Sequence, residues 1–567
     1  MKISYQPLFS FTRPLSILTL LTSFWFSTLA QTDVYKNGLV VTAHPEASAV
    51  GIEILKKGGN AADAAVAVQF ALAVVYPNAG NLGGGGFMVY RSKAGETTAL
   101  DFREKAPGKA SRDMYLDNKG QPVTDRSLYG HLAAGVPGSV EGMAEIHGKY
   151  GKLDWKEILE PAVRLARKGF PLTSMQAEEL NSRKDRFKRF NPSGTALLKG
   201  RGDWKTGDLL AQPELAGTME LIRKKGRAGF YEGKTAKRIV REMKRGTGII
   251  SKDDLKNYRA VWRTPVSGQY KDYKILTMPP PSSGGIALVQ LLQSVEKYPV
   301  ARWGHNADST VQLIVEAERR VYADRAGHLG DPDFYRVPQS FLLNRDYQAE
   351  RMKSFSWASA TPSSEIKAGA IVAKESPETT HFSIADKEGN AVSITTTLNG
   401  SYGSLVMVKG AGFLLNNEMD DFSVKPGSPN MYGLVGGEAN AIQPGKRMLS
   451  SMTPTILEKD GKLFMIVGTP GGSTIITSVF QTILNVIEFN LPIQQAVDAK
   501  RFHHQWLPDE ISIEESALSA PVINYLEKKG YVIKKRSPIG RVDAIVLSPS
   551  GYVGGADSRG DDTKLGF

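Results

Sequence analysis

Cysteine is absent from this chain of 567 residues. That removes disulfides, thiolate metal sites and thiol nucleophiles together, so any nucleophile is oxygen or nitrogen and stability has to come from a sizeable core. Histidine is sparse: there are eight, and the one adjacent pair, His503-His504, has no second cluster at ligand spacing. No metal and no cofactor are expected. The glycine-rich runs lack the companions that nucleotide binding requires. Gly83 to Gly86 is not part of a GxGxxG pattern and leads into apolar Phe87 to Tyr90 instead of opening a helix. Ahead of Gly233-Lys234-Thr235, a phosphate loop needs glycine where Ala228 stands. After residue 30 there is no apolar run of the roughly 20 residues that a membrane-spanning helix needs.

The first thirty residues are of another kind. Lys2 and Arg13 give a positive start, Leu15 to Leu29 carries no charge, and Thr28-Leu29-Ala30 ends in small residues. This is the pattern of a secretory signal cleaved near Ala30, and it predicts a periplasmic or secreted protein. The apolar run is short for an uncleaved anchor. The formal charge of +13 is unevenly spread, because residues 379 to 567 hold 17 basic and 19 acidic groups. The excess lies upstream, most densely in Arg183 to Arg189 and Arg223 to Arg245. In an exported protein a solvated basic face accounts for this better than nucleic-acid binding, and no nucleic-acid partner is expected. Such a face also attracts small anionic substrates.

Apolar residues at helical spacing predict helices over Pro45 to Lys57, Ala61 to Val75, Trp155 to Lys168, Pro213 to Lys225, Thr235 to Lys244 and Ser309 to His328. From His381 the pattern turns to short alternating strands, HFSIAD, AVSITTTL, TPTILEK and LFMIVGT, before helices return at Ser478 to Glu488 and Ile493 to Lys500. Strands and helices mixed without a fixed repeat predict a layered α/β fold. Trp357 to Glu378, rich in Ser, Thr, Pro, Lys and Glu, reads as a linker. It ends where the most informative segment begins.

That segment, Thr379 to Gly403, reads TTHFSIADKEGNAVSITTTLNGSYG. Two alternating strands flank a turn at Asp386 to Asn390. If Phe382 faces Ile394 and Ile384 faces Val392, apolar meets apolar; a slip by one sets Phe382 against Thr395 and Ile384 against Ser393. The apolar register places Thr379 opposite Thr397, two hydroxyls at the open end of a hairpin. Pattern alone also fits a plain hairpin, because threonine favours strands.

The segment resembles the pattern that marks the gamma-glutamyltransferase family, in which a threonine-histidine start leads to a Gly-Asn turn, a T-x-T-L-N strand and an aromatic-glycine end. The resemblance runs from about Gly38 to Phe567. It takes in NLGGGGFMVY, LDFREKAP at Leu100 to Pro107, LLNNEMDDFS at Leu414 to Ser423, PGSPNMYGLVGGEANAI from Pro426, MLSSMTP at Met448 to Pro454 and GTPGGS at Gly468 to Ser473. It implies a four-layer αββα sandwich of the N-terminal-nucleophile hydrolase type, formed jointly by two chains from one precursor. The implied division is a signal peptide at 1–30, a large subunit at 31–378 and a small subunit at 379–567, cut between Glu378 and Thr379. The two subunits are expected to stay together as a heterodimer.

Several roles are implied by the resemblance. Thr379 is the nucleophile, Thr397 orients it, and Gly471 and Gly472 form the oxyanion hole. Arg103, Ser450 and Ser451 hold the donor's α-carboxylate, Asn399, Glu418 and Asp421 hold its α-ammonium, and Tyr432 belongs to a lid over the pocket. Chemistry agrees with these types: a chain-terminal threonine carries its own base, an α-amine with a pKa of roughly 7.7 to 8.0, and carboxylates call for a planar guanidinium. The implied donors are glutathione and other γ-glutamyl compounds, with water, amino acids or peptides as acceptors. A cephalosporin acylase or a poly-γ-glutamate hydrolase of the same superfamily is the alternative. Ala556 departs from the pattern, standing where serine is common, and Glu418 stands where some bacterial relatives carry glutamine.

Overall fold

A computed structural model describes residues 1, 2, 4, 33–367, 378–425 and 437–567. The elements of the fold all belong to one unit, Val34–Phe567. The chain opens with strand β1 (Gly38–Thr42), helix α1 (Pro45–Lys56) and helix α2 (Ala61–Val75). Pro45 sits in the first turn of α1, where its missing N–H costs nothing. The Gly58-Gly59-Asn60 break ends in a capping box: Asn60 Oδ1 accepts from the Asp63 amide at 3.0 Å while Asp63 accepts from the Asn60 amide. All fifteen residues of α2 are buried, which its alanines allow by keeping the helix thin.

Strands β2 (Gly85–Arg91) and β3 (Thr97–Asp101) come next, then α3 (Ser139–Tyr150), α4 (Trp155–Lys168), α5 (Pro213–Lys225) and α6 (Gly233–Arg245). They are followed by β4 (Val261–Arg263), β5 (Val266–Tyr270), β6 (Tyr273–Thr277), α7 (Gly284–Val295) and the long α8 (Asp308–His328). The hairpin is β7 (Glu378–Asp386) and β8 (Ala391–Asn399). After it come β9 (Thr455–Lys459), β10 (Lys462–Gly468), α9 (Thr474–Ile487), α10 (Ile493–Asp498), β11 (Asp543–Ser548), β12 (Gly551–Ala556) and β13 (Thr563–Gly566).

Two sheets dominate this mixed α/β fold. One has the order β13-β1-β7-β8-β2-β3-β4 and the other β12-β11-β10-β9-β6-β5, and the ladders within both are antiparallel. Period-two alternation divides the first sheet between two cores. Val40, Met88, Tyr90, Leu100, Phe382, Ile384, Val392 and Ile394 pack with α1 to α6. Leu39, Val41, Phe87, Val89 and Ala99 turn the other way, into a core shared with the second sheet and α7 to α10.

Three expectations need correcting. Helix α9 begins at Thr474, four residues before the expected start at Ser478. Its first turn, Thr474-Ile475-Ile476-Thr477, is β-branched and reads like strand, but burial of both isoleucines overrides that preference. Helix α10 stops at Asp498, short of Lys500. The expected linker is docked over its first part: the Thr361 amide donates to Glu316 at 3.2 Å, Ser363 O accepts from Trp506 Nε1 at 2.7 Å, and Trp357 packs edge-on to Trp303 and Phe355. Residues 368–377 lie outside the described residues. In the basic stretches Arg183, Lys184, Lys188, Arg223 and Arg227 each face a carboxylate, as a solvated ion-paired surface does.

Candidate active site

The hairpin takes the apolar register. Ile394 pairs with Phe382 and Val392 with Ile384, and both pairs face the α1–α6 core. The ladder continues to Thr396 and Thr380 and then shifts, so that Asn399 pairs with Glu378. A bulge thus replaces direct pairing of Thr379 with Thr397, whose ladder partner is Gly85 on β2. The bulge ends at Asn399, which has a φ of 71°, and Thr397 Oγ1 accepts from the Asn399 amide at 2.7 Å. In the uncut chain the Thr379 nitrogen is a peptide amide within β7.

By alternation Thr379 lies on the face of His381 and Ser383, which turns toward the second sheet. His381 is wholly buried; its ring bonds Thr395 Oγ1 at 2.9 Å and Ser383 Oγ at 3.1 Å, and burial lowers its pKa to about 3. Strand β10 of the facing sheet leads into Pro470-Gly471-Gly472 and α9. Gly471 has a φ of 137° and Gly472 of 57°, and a Cβ on Gly471 would stand 2.6 Å from Thr474 Oγ1. Only glycine fits this turn. It leads into the positive end of a fourteen-residue helix, whose first two amides, Thr474 and Ile475, donate to the Gly471 and Gly472 carbonyls at 3.1 Å. Thr379 and Gly471 line one cavity of about 590 Å³. Thr379 itself is 5% exposed.

The proposed head-group residues form a second, buried cluster. Arg103 follows β3, and its guanidinium pairs with Glu418 at 2.6 Å and with Asp421. The same side chain donates to the carbonyls of Met448 at 3.4 Å and Leu449 at 3.2 Å, which brings the Glu418–Asp421 turn against the segment that carries Ser450 and Ser451. Ser450 Oγ accepts from the Met452 amide at 3.2 Å, and Ser451 Oγ accepts from Arg325 on α8 at 3.0 Å. Asn399 donates to Asn417 O at 2.9 Å and so ties the end of β8 to the residue before Glu418. Arg103 is thus no surface ion pair, although Asp101 and Glu104 flank it in sequence. Beside it Glu104 is fully buried, 3.6 Å from the guanidinium, and burial raises its carboxyl to about 8. Asp420, also buried, is raised to about 6 although Ser127 donates to it at 2.6 Å.

Positioning residues that sequence reasoning passed over sit between the two clusters. Asn81 donates to the Thr397 carbonyl at 2.8 Å and accepts from the Gly84 amide and Ser139 Oγ. A Cβ on Gly84 would lie 2.0 Å from that same Thr397 carbonyl oxygen, which gives the glycine run a structural reason: close approach to β8. Asn416 donates to Gly83 O at 2.7 Å and accepts from the Glu418 amide at 3.0 Å. The asparagines in NLGGGG and LLNNEMDD carried this signal, but their partners are hundreds of residues away. Arg325 gave none, being one buried cation in a long helix. Tyr432 and the Glu378 side chain lie outside the described residues. His503 and His504 are both buried and bond Thr477, Gln505 and Asp509, and no metal-binding cluster occurs among the described residues.

A model of the gamma-glutamyltranspeptidase family matches residues 47–567. The glutathione hydrolase proenzyme of Escherichia coli (strain K12) is 46% identical over 535 residues, covering 94% of this chain and 92% of that protein. The crystal structure of Helicobacter pylori gamma-glutamyltranspeptidase is similar at 44% identity with a TM-score of 0.56, over 58% of this chain and 94% of that chain. The cephalosporin acylase from Bacillus halodurans superposes with a TM-score of 0.82 at 26% identity, over 97% of this chain and 99% of that one.

Proposed function

The chain belongs to the gamma-glutamyltranspeptidase family, and from that premise we propose that it cuts itself before Thr379 and then uses Thr379 as the nucleophile on γ-glutamyl donors. Its activity is that of a gamma-glutamyltransferase and glutathione hydrolase. The observation that carries the residue assignment is the placing of Thr379 and Gly471 on one cavity, at the mouth of a helix N-terminus.

Self-cleavage begins when Thr379 Oγ bonds to the Glu378 carbonyl carbon and the Glu378–Thr379 amide bond breaks. Thr379 nitrogen gains a proton, and water then splits the ester, leaving a Glu378 carboxylate and a free Thr379 hydroxyl. The new α-amine is the base that the intact chain lacked. In turnover it takes the Oγ proton as Oγ attacks the donor's γ-carbonyl carbon. The amides of Gly471 and Gly472 stabilise the oxyanion, a contribution of about 3 to 4 kcal/mol for one such donor. The proton passes to the leaving nitrogen as its bond to carbon breaks. Water or an amine then takes the acyl group from Thr379.

The Arg103 cluster suits an α-amino-acid head group. Within the fold Arg103 is matched by Glu418 and Asp421. A zwitterion inserts its carboxylate toward Arg103, Ser450 and Ser451 and its ammonium toward Asn399, Glu418 and Asp421, so each desolvated charge keeps a partner. Two antiparallel sheets with helical cores on their outer sides support a four-layer αββα sandwich that the two cut chains build together. The relatives' name, proenzyme, supports the cut, and the first thirty residues support export to the periplasm or beyond. The overlay with an acylase leaves β-lactam acyl donors as the second reading.

One set of assays separates the two. The purified protein cleaves γ-glutamyl-p-nitroanilide and leaves glutaryl-p-nitroanilide, which lacks the α-amine, essentially intact; Thr379→Ala gives one uncut, inactive chain. Equal cleavage of both donors would move the function to the acylases.

A further inference from the structure

The cavity beside Thr379 contains a cation that the acyl-transfer chemistry leaves unused. Arg536 lines it and is partly buried; among the described residues its guanidinium makes no direct hydrogen bond or ion pair, and Glu514 and Glu510 act on it only at longer range. The two other arginines in the wall are already neutralised: Arg541 by Asp562, and Arg559 by Glu514 and Asp557. A partly buried guanidinium without a directly bonded acceptor is poorly satisfied, and an incoming carboxylate relieves that with two parallel hydrogen bonds.

The arginine is held in place. Its amide donates to Ile513 O at 2.9 Å, the Ile539 amide to Glu514 at 2.8 Å, and the Arg541 amide to Thr469 Oγ1 at 2.8 Å. Those bonds seat the Arg536–Arg541 loop against the Pro470-Gly471 turn, where the Gly540 Cα lies 3.4 Å from the point a Cβ on Gly471 would occupy. The wall also carries acids: Glu178, Glu179, which accepts from Asn78 at 2.6 Å, and Asp561, which accepts from Thr173 Oγ1 at 2.7 Å. A cavity of about 590 Å³ is ample for a dipeptide, and charges of both signs suit a zwitterion. None of Arg103, Glu418, Asp421, Ser450 and Ser451 belongs to its wall. The cavity beside Thr379 is therefore walled by a different set of residues from the Arg103 cluster.

We propose that Arg536 binds the terminal carboxylate of the amine partner in the reaction: the peptide that leaves from a donor such as glutathione, and the amino acid or short peptide that replaces it. The leaving and the entering amine occupy the same side of the acyl carbon, so one cation serves both. This rests on Thr379 being the nucleophile of γ-glutamyl transfer.

The test compares glutathione with its C-terminal amide on the self-cleaved protein. The wild type prefers the free acid by tenfold or more in kcat/KM, expressed mainly in KM, and Arg536→Ala reduces that preference to about twofold. Equal use of acid and amide by the wild type overturns the proposal without any variant, and so does a preference that Arg536→Ala leaves unchanged. γ-Glutamyl-p-nitroanilide, whose leaving group has no carboxylate, reports separately on the underlying reading. If the wild type fails to cleave it, γ-glutamyl transfer itself is wrong; if it is cleaved but acid and amide react alike, only the role of Arg536 falls.

Discussion

Arg103 illustrates how a residue with an ordinary sequence context acquires a special role through burial. In water its pairs with Glu418 and Asp421 would contribute little, but at 1% exposure each charge needs a partner at all times. A ligand that brings both a carboxylate and an ammonium can exchange partners with the cluster and leave no charge stranded. Arg103→Ala therefore raises the donor KM by tenfold or more, about 1.4 kcal/mol, in steady-state assays with γ-glutamyl-p-nitroanilide. An unchanged KM removes Arg103 from the donor site. The pairing of Arg103 with its own acids was not legible in the sequence, where Asp101 and Glu104 are the nearest carboxylates and Glu418 is more than three hundred residues away.

At the scale of elements, the hairpin was readable because its two faces differ. Phe382, Ile384, Val392 and Ile394 allow only one register, and the structure keeps it. The bulge at Thr396 to Asn399 was not readable, because it depends on Asn399 adopting a φ of 71° and on Asn81 reaching the Thr397 carbonyl, neither of which leaves a periodic trace. Helix α9 was misplaced at its start for the related reason that packing outweighed local preference. The hairpin also carries a pH signature. His381 stays neutral in the fold down to about pH 3, whereas in the unfolded chain it takes up a proton below its ordinary value near 6.5. Between those limits the unfolded state binds the extra proton. Stability is lost as pH falls through that window, by up to about 1.4 kcal/mol per pH unit, and above 6.5 this residue adds no pH dependence. Between pH 7.5 and pH 5 the thermal midpoint should fall further for the wild type than for His381→Asn; equal falls contradict the assignment.

For the whole molecule, the consequence of the proposed cut comes from strand order. The first sheet takes β1 to β4 from before residue 378 and β7, β8 and β13 from after it; the second takes β5 and β6 from before and β9 to β12 from after. Both cores draw on both segments. The cut pieces therefore co-elute as one species in native size-exclusion chromatography and separate only in denaturant; native separation would contradict this shared architecture. Mixed α/β class was legible from strand and helix patterns, but the interleaving was not, since strand neighbours such as β1 and β7 are far apart in the chain. All of this depends on where the chain breaks. N-terminal sequencing of the smaller fragment, taken from a denaturing gel of the purified protein, is the most direct test. The expected reading is Thr-Thr-His-Phe, beginning at Thr379, and any other start, or a single uncut chain with full activity, contradicts the account.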